Sequence, residues 1–528
     1  MASSISLDFI RQSLTYCSGN RKMHERCPQL QDTGSVLPTR VVDCSSHDHL
    51  YLLESNGLCD RYVALSYVWG EDQPHKTTTQ NIDQYLCSID PALLPQTIQD
   101  AIWTTRALDL KYLWVDTLCI IQDREDDRNH ELARMCDIYS EAHLTIIAAS
   151  ARRASEGFLQ HRKDTSVDDV KLPFILPDGS PQLGTLRASL VRWAPQYAGS
   201  DPISGRGWCF QESVLSPRCV VFSSHTVQYQ CASTFECAGH AYNPCWTDGG
   251  HVDARPQYKL PAKDALGDIA HVDRLPAIWR TMVEEYSRTA VTVSGDRLVA
   301  LSGVAQRFHT AFQTEYLAGL WRDRLLEHLQ WYTEPTHPPQ LPAPAPRPKG
   351  YRAPTWSWAS VDEAIQFEEQ WQRRTGLAKV VRCETTLKLP ALTFGEVTSG
   401  ILVLRAPTIQ CKLEWCPQSF CANAYVDPAV AQDEAENARL IRVGLFKPDS
   451  VDDANQRARW ATLVLLSRVE AYPRDAFVGF VVELEGGYWR RTGWFANNVD
   501  SHNWNDADAD RRAQDVFACA PITDIIIL

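Results

Sequence analysis

The chain has no apolar run approaching the ~20 residues that span a bilayer. Its longest, Leu144–Ala151 and Trp460–Ser467, are far shorter, so no membrane span is expected. It also has no block of basic residues. Lys and Arg number 52 against 65 Asp and Glu among 528 residues, a formal charge of −13, which argues against a nucleic-acid partner or an anionic lipid surface. There is no G-x-x-x-x-G-K-[ST] phosphate loop, no H-E-x-x-H and no G-x-S-x-G, so three common catalytic frameworks fall away. Gly205-Arg206-Gly207 opens like a dinucleotide loop, but Phe210 stands where the third glycine belongs. The N-terminal residues show no signal-peptide h-region, and Asn-x-Ser/Thr sequons are absent, which points to a reducing, cytoplasmic address.

What is present is an ordinary globular balance: 44% hydrophobic, 22% charged. That excludes wholesale disorder and fibrous architectures. Seventeen cysteines, an odd number, mostly sit singly in apolar stretches and read as small buried thiols. Cys231, Cys237, His240, Cys245 and His251 supply zinc-type ligands, but without the tight C-x2-C pairs of zinc fingers. Structural thiols and surface histidines are the favoured reading, and no metal is expected.

Hydrophobic patterning divides the chain. Residues 1–59 are mixed and polar, a lead-in segment. In 60–225, short unbroken apolar runs (Val63–Trp69, Tyr112–Val115, Leu144–Ala149, Cys219–Phe222) have the character of strands buried on both faces. Between them, Ile98, Ala101, Ile102, Thr105 and Leu108 fall at helical spacing, as do Leu132, Met135, Cys136, Tyr139 and Ala142. Asp100, Arg106, Glu131 and Arg134 occupy the opposite, solvent face of these helices. Alternating strands and helices predict an α/β domain with a doubly wound, mostly parallel sheet. Residues 226–334 read as mainly helical, 335–350 as a proline-rich linker, and 351–528 as a β-rich, mostly antiparallel region.

Two carboxylates stand out. Asp116 directly follows a buried strand, at the carboxyl edge where α/β sheets place ligands. Glu212 lies four residues after Trp208, on one face of a helix starting near Gly207. A carboxylate beside an indole in a cleft is partly desolvated and suited to chemistry. The alternative is a helix-start Glu paired with Arg206, Arg218 or nearby backbone.

Five ordered blocks resemble the fungal heterokaryon-incompatibility (HET) domain: Tyr62–Gly70 (YVALSYVWG), Leu94–Ala101 (LPQTIQDA), Tyr112–Asp123 (YLWVDTLCIIQD), Met135–Ala142 (MCDIYSEA) and Arg206–Glu212 (RGWCFQE). Looser similarity continues at Asp296–Gly303, Tyr316–Trp321 and Ala353–Ser360. The resemblance implies a role in non-self recognition and regulated cell death, and a TIR-like fold. Some TIR domains cleave NAD+ with a glutamate in a W-C-x-x-E motif, which Trp208-Cys209-Phe210-Gln211-Glu212 matches. It therefore implies Glu212 as the catalytic residue and NAD+ as substrate rather than bound cofactor. Tyr67 and Trp69 would stack on a ligand ring, Gly70 would admit close approach, and Asp116, Arg206 and Trp208 would complete the contacts. The other reading is a non-enzymatic assembly module, acting as a homo-oligomer through this domain or through an incompatibility partner protein.

Overall fold

The computed structural model describes residues 4–20, 22–28, 33–160, 170–175, 183–188, 201–224, 226–238, 275–333, 345–368, 374–416, 421–427, 441–450, 452–453, 459–470, 475–497 and 514–528. The chain divides into two compact units, Met1–Ala265 and Leu266–Leu528. Among the described residues no helix is long and apolar enough to cross a membrane.

The N-terminal unit opens with helix α1 (Ser4–Gly19) and is built on an eight-stranded sheet. Its strands are β1 (Arg40–Asp43), β2 (Tyr51–Glu54), β3 (Tyr62–Ser66), β4 (Tyr112–Trp114), β5 (Leu144–Ile147), β6 (Arg218–Phe222), β7 (Val227–Cys231) and β8 (Phe235–Cys237). They lie in the order β8-β7-β6-β5-β3-β4-β1-β2. Only β6, β5, β3 and β4 run parallel, while β7–β8 and β1–β2 are antiparallel additions on either side. The mostly parallel sheet expected from the sequence is thus a mixed one. Its outer strands are short and reverse through tight connections, which antiparallel pairing allows and parallel pairing does not. The segment read as lead-in supplies β1 and β2.

The four parallel strands are completely buried, which is why they appear as unbroken apolar runs. In chain order β3 is followed by β4 on one side and β5 on the other, so the direction of winding reverses at β3. A crevice at the carboxyl ends of the strands on either side of such a reversal is where α/β sheets bind ligands.

Three helices matter for the site: α2 (Gln96–Ala107), α3 (Glu125–Ser140) and α4 (Gly207–Leu215). Of the four charged positions assigned to solvent by periodicity, Asp100 and Glu131 are buried, while Arg106 and Arg134 are half-buried. Asp100 accepts from the amides of Phe158 (2.7 Å) and Leu159 (3.0 Å), in the segment following β5. Asp126 and Asp127 sit in the first turn of α3, where carboxylates complement the helix's positive end. Asp127 is buried against Arg40 of β1 at 2.5 Å and receives the Ile121 amide at 2.8 Å. Desolvation raises its pKa, but Arg40 and that amide outweigh it and hold the carboxyl below its ordinary value.

The C-terminal unit combines helices Leu275–Ser287 and Ser302–Phe312 with a large antiparallel sheet. Strand pairing runs from Arg459–Val469 to Ala476–Glu485, Tyr488–Ala496, Ile441–Pro448, Cys421–Val426 and Val397–Cys416, then back to Arg459–Val469. The result is a closed ring filled by Leu413, Val443, Phe446, Leu463, Leu465, Val481 and Phe495. Of the proline-rich stretch only residues 345–350 are described, and Arg347 there pairs with Asp449 (3.3 Å) and Asp453 (2.9 Å).

Candidate functional site

Helix α4 starts at Gly207, directly after Arg206, so Trp208 and Glu212 lie one turn apart. The helix packs over the carboxyl ends of the parallel strands, where Cys209 joins Val68, Ile147, Ala149, Ile203, Cys219 and Val221. This packing fixes the Glu212 carboxyl beside Ser66, the last residue of β3, near Asp116 and Tyr139. Glu212 is only 7% exposed. The sequence placed it in an open crevice; the structure places it in a buried pocket of polar groups at the tip of β3.

Asp116 follows β4 and lies across from it. Trp69 Nε1 donates to its Oδ2 at 2.8 Å and the Thr117 amide to its Oδ1 at 2.7 Å. The Tyr67 hydroxyl is 2.9 Å from Thr117 Oγ1, and Tyr139 OH donates to the Leu65 carbonyl at 3.1 Å. Ser66 Oγ, buried beside Glu212, closes no hydrogen bond of good geometry and is the hydroxyl most available to that carboxylate.

The electrostatics follow from burial. Desolvation lifts Glu212 from 4.5 to about 7; the Asp116 charge adds to the rise, while Ser66, Arg206 and Tyr139 moderate it. Desolvation also raises Asp116, against the opposing pull of Trp69, Thr117, Arg206 and Tyr67. A negative charge on Asp116 thus opposes ionisation of Glu212, on top of the larger effect of burial. Half-buried Arg206 favours the charged form of both from a distance.

Five of the residues singled out from sequence, Tyr67, Trp69, Asp116, Arg206 and Glu212, therefore interact in one cluster, with half-buried Trp208 one turn from Glu212. Tyr67 and Gly70, also singled out from sequence, do something other than expected. Tyr67 is buried and hydrogen-bonded rather than offered as a stacking face. Gly70 has φ +64°, and a Cβ there would lie 2.3 Å from the Arg152 carbonyl oxygen. Its close neighbour is this chain's own backbone, not a ligand. Gly70→Ala is expected to destabilise the unit by about 2 kcal/mol through left-handed strain and this clash, measured by urea denaturation. A change below about 0.5 kcal/mol would show that the turn relaxes freely. Sequence reasoning missed Ser66 and Tyr139, whose part depends on α3 and α4 meeting over β3.

Residues 62–212 match the family model described as Heterokaryon incompatibility protein (HET). The chain carries a HET domain. A stretch of 93 residues is 30% identical to "Heterokaryon incompatibility protein 6, OR allele" of Neurospora crassa, covering 16% of this chain and 14% of that relative. No solved structure matches the chain. The HET match spans β3 to Glu212 and so contains every residue of the carboxylate cluster.

The cysteine and histidine ligands grouped from the sequence do not all fall within the described residues: His240, Cys245 and His251 lie outside them. Cys237 is part of β8, and Cys231 turns away from it towards Cys17, His24 and Cys27.

Proposed function

We propose that this chain is an incompatibility-type protein of fungal non-self recognition whose HET domain cleaves the nicotinamide–ribose bond of NAD+. The observation that carries this reading is the Glu212–Asp116 carboxyl pair, buried at the sheet's winding reversal. Buried carboxyls with raised pKa values and no contacting cation are poor stabilisers and are characteristic of catalytic sites. The name of the Neurospora relative and the HET match support the incompatibility role.

Cleavage of this bond passes through an oxocarbenium-like state: the bonding electrons leave with neutral nicotinamide, and water adds to the ribosyl cation with loss of a proton, giving ADP-ribose. The site must supply negative charge beside the developing ribosyl cation. Ionised Glu212 does this, Asp116 is held in place by Trp69 and Thr117, and Arg206 meets the diphosphate. Because Glu212 is deeply buried, substrate reaches it only when the cover over the strand tips opens, as in assembly of several copies or a TIR-like rearrangement.

The same 7% exposure favours a second reading, in which the pair is structural and the HET domain signals through partners. Full-length protein incubated with NAD+, with Glu212→Gln alongside, separates them. The expected result is nicotinamide release that falls at least about 100-fold in the variant. If Glu212→Ala kills host cells as well as the unaltered protein does, the reaction is dropped and the signalling reading stands.

A further inference from the structure

We propose that Cys17, His24, Cys27 and Cys231 bind a structural zinc ion that ties the N-terminal helix to the sheet. All four side chains are buried, and their ligand atoms lie within 4.8 Å of one another. Cys17 is near the end of α1, His24 and Cys27 are in the turn that follows, and Cys231 ends β7. His24 Nδ1 is 3.4 Å from Cys231 Sγ and 3.7 Å from Cys27 Sγ.

The two S···N separations match the edges of a tetrahedron around zinc, and the sulfurs, all within 4.8 Å of one another, lie within reach of one. Zn–S bonds of ~2.3 Å and Zn–N bonds of ~2.0–2.1 Å at tetrahedral angles give S···N edges of about 3.5 Å and S···S edges of about 3.8 Å. Three thiols and one imidazole, with no carboxylate or carbonyl among them, select zinc over calcium or magnesium. Four protein ligands fill the coordination shell, which marks a structural ion rather than a catalytic one. A disulfide would use only two of the sulfurs and leave the third, and the imidazole, without purpose.

The surroundings suit the bound state. The Thr234 amide donates to Cys231 Sγ at 3.3 Å, Thr234 Oγ1 lies 3.2 Å from the same sulfur, and Ser233 Oγ lies 3.5 Å from Cys27 Sγ. Donors placed around sulfur stabilise thiolate ligands and fix their orientation. His24 is 4% exposed, and its Nε2 has no hydrogen-bond partner. Nδ1, among the sulfurs, is the nitrogen in position to bind. The guanidinium of Arg218 donates to the Pro28 carbonyl just beyond the cluster, so the turn is held on both sides.

Bridging His24 to Cys231 closes a loop of 207 residues and pins α1 to β7, adding to the hydrogen bonds that Ser13 makes to Glu236 of β8 and Arg11 to the Ala107 carbonyl. The site is independent of any reaction at Glu212.

The test is elemental analysis of full-length protein purified under reducing conditions with zinc supplied. About one zinc per chain is expected, and cobalt substituted for it should give the visible bands of a tetrahedral thiolate site. Cys231→Ser and Cys17→Ser should each lower retained metal at least about fivefold, while Cys237→Ser, outside the cluster, should keep it. Folded protein with less than about 0.1 zinc and no cobalt bands would overturn the proposal. So would metal lost from Cys237→Ser but kept by Cys231→Ser, or a Cys17–Cys231 or Cys27–Cys231 disulfide in peptide maps. Should the serine variants fail to fold, the metal content and cobalt spectrum of the unaltered protein still decide the matter.

Discussion

Glu212→Gln is expected to stabilise the N-terminal unit at pH 8 and to leave it nearly unchanged at pH 4. Desolvation, reinforced by the Asp116 charge, holds the Glu212 carboxyl at about 7 against an ordinary 4.5. Between those values the folded protein keeps a proton that the unfolded chain has released. Stability linked to this group is therefore complete below the unfolded value, falls as pH rises through the window, and is gone above the folded one. At ~1.4 kcal/mol per unit, the loss is about 3 kcal/mol by pH 8. An amide of the same shape never ionises and escapes it. The expected gain in melting temperature is roughly 5–10 °C at pH 8, shrinking to nothing near pH 4. Asp116, raised for the same first reason, leaves part of the pH slope in the variant. Melting curves at pH 4, 6 and 8 provide the check. Parallel profiles for the two proteins would mean that Glu212 titrates normally, and the strongest reason to assign it chemistry would go. If NAD+ is cleaved, the rate should rise with pH through the same window, because the ionised form is the active one.

Arg491→Met is expected to have the opposite sign and a larger size in the C-terminal unit. The Arg491 guanidinium is completely buried and pairs with Asp449 at 3.1 Å. It also donates to the carbonyls of Leu329 (2.7 Å) and Trp331 (2.6 Å), and lies 3.6 Å from the centre of the Trp331 ring. One side chain thus joins the β-rich region to the chain just after the helices. Removing it strands two carbonyls and weakens the compensation of a fully buried carboxyl that burial already raises. Breaking a buried pair from one side costs about 3–5 kcal/mol. Arg347, 3.3 Å from the same carboxyl, keeps the loss from going higher. Denaturant melts of the full chain should show the transition of this unit shifted by that amount. A shift below about 1 kcal/mol would mean that the network rearranges without loss. Adding Asp449→Leu to Arg491→Met should recover part of the stability, since an apolar pair of similar volume avoids both desolvation penalties.

The parallel core was legible because strands buried on both faces must be apolar throughout, and the helices between them carry the 3.6-residue period. Helix α4 was legible for a local reason: Gly207 opens it and Trp208 and Glu212 fall one turn apart. The position of Asp116 at a strand's carboxyl end was legible too. Asp100 and Glu131 were not, because periodicity assigns every charge to solvent. Asp100 is buried by two amides some 60 residues away. The degree of Glu212 burial depends on how α3 and α4 meet over β3, and no local pattern records that. Strands β1 and β2, the second at the sheet's edge, are short and border polar turns, so they looked like irregular chain. The partners of Cys231 were the hardest to see. They come from the first 27 residues, whereas a search by spacing looks only nearby.

The sheet order has a practical bearing on how this domain can be studied in isolation. The family match runs from β3 to Glu212, yet β1 and β2 come before that block, and β6, β7 and β8 after it. A fragment trimmed to the matched block would keep three adjoining strands and uncover the backbone edges of β4 and β5. Such bare edges are templates for intermolecular pairing, so truncation at the family boundaries would yield aggregate rather than a minimal working domain.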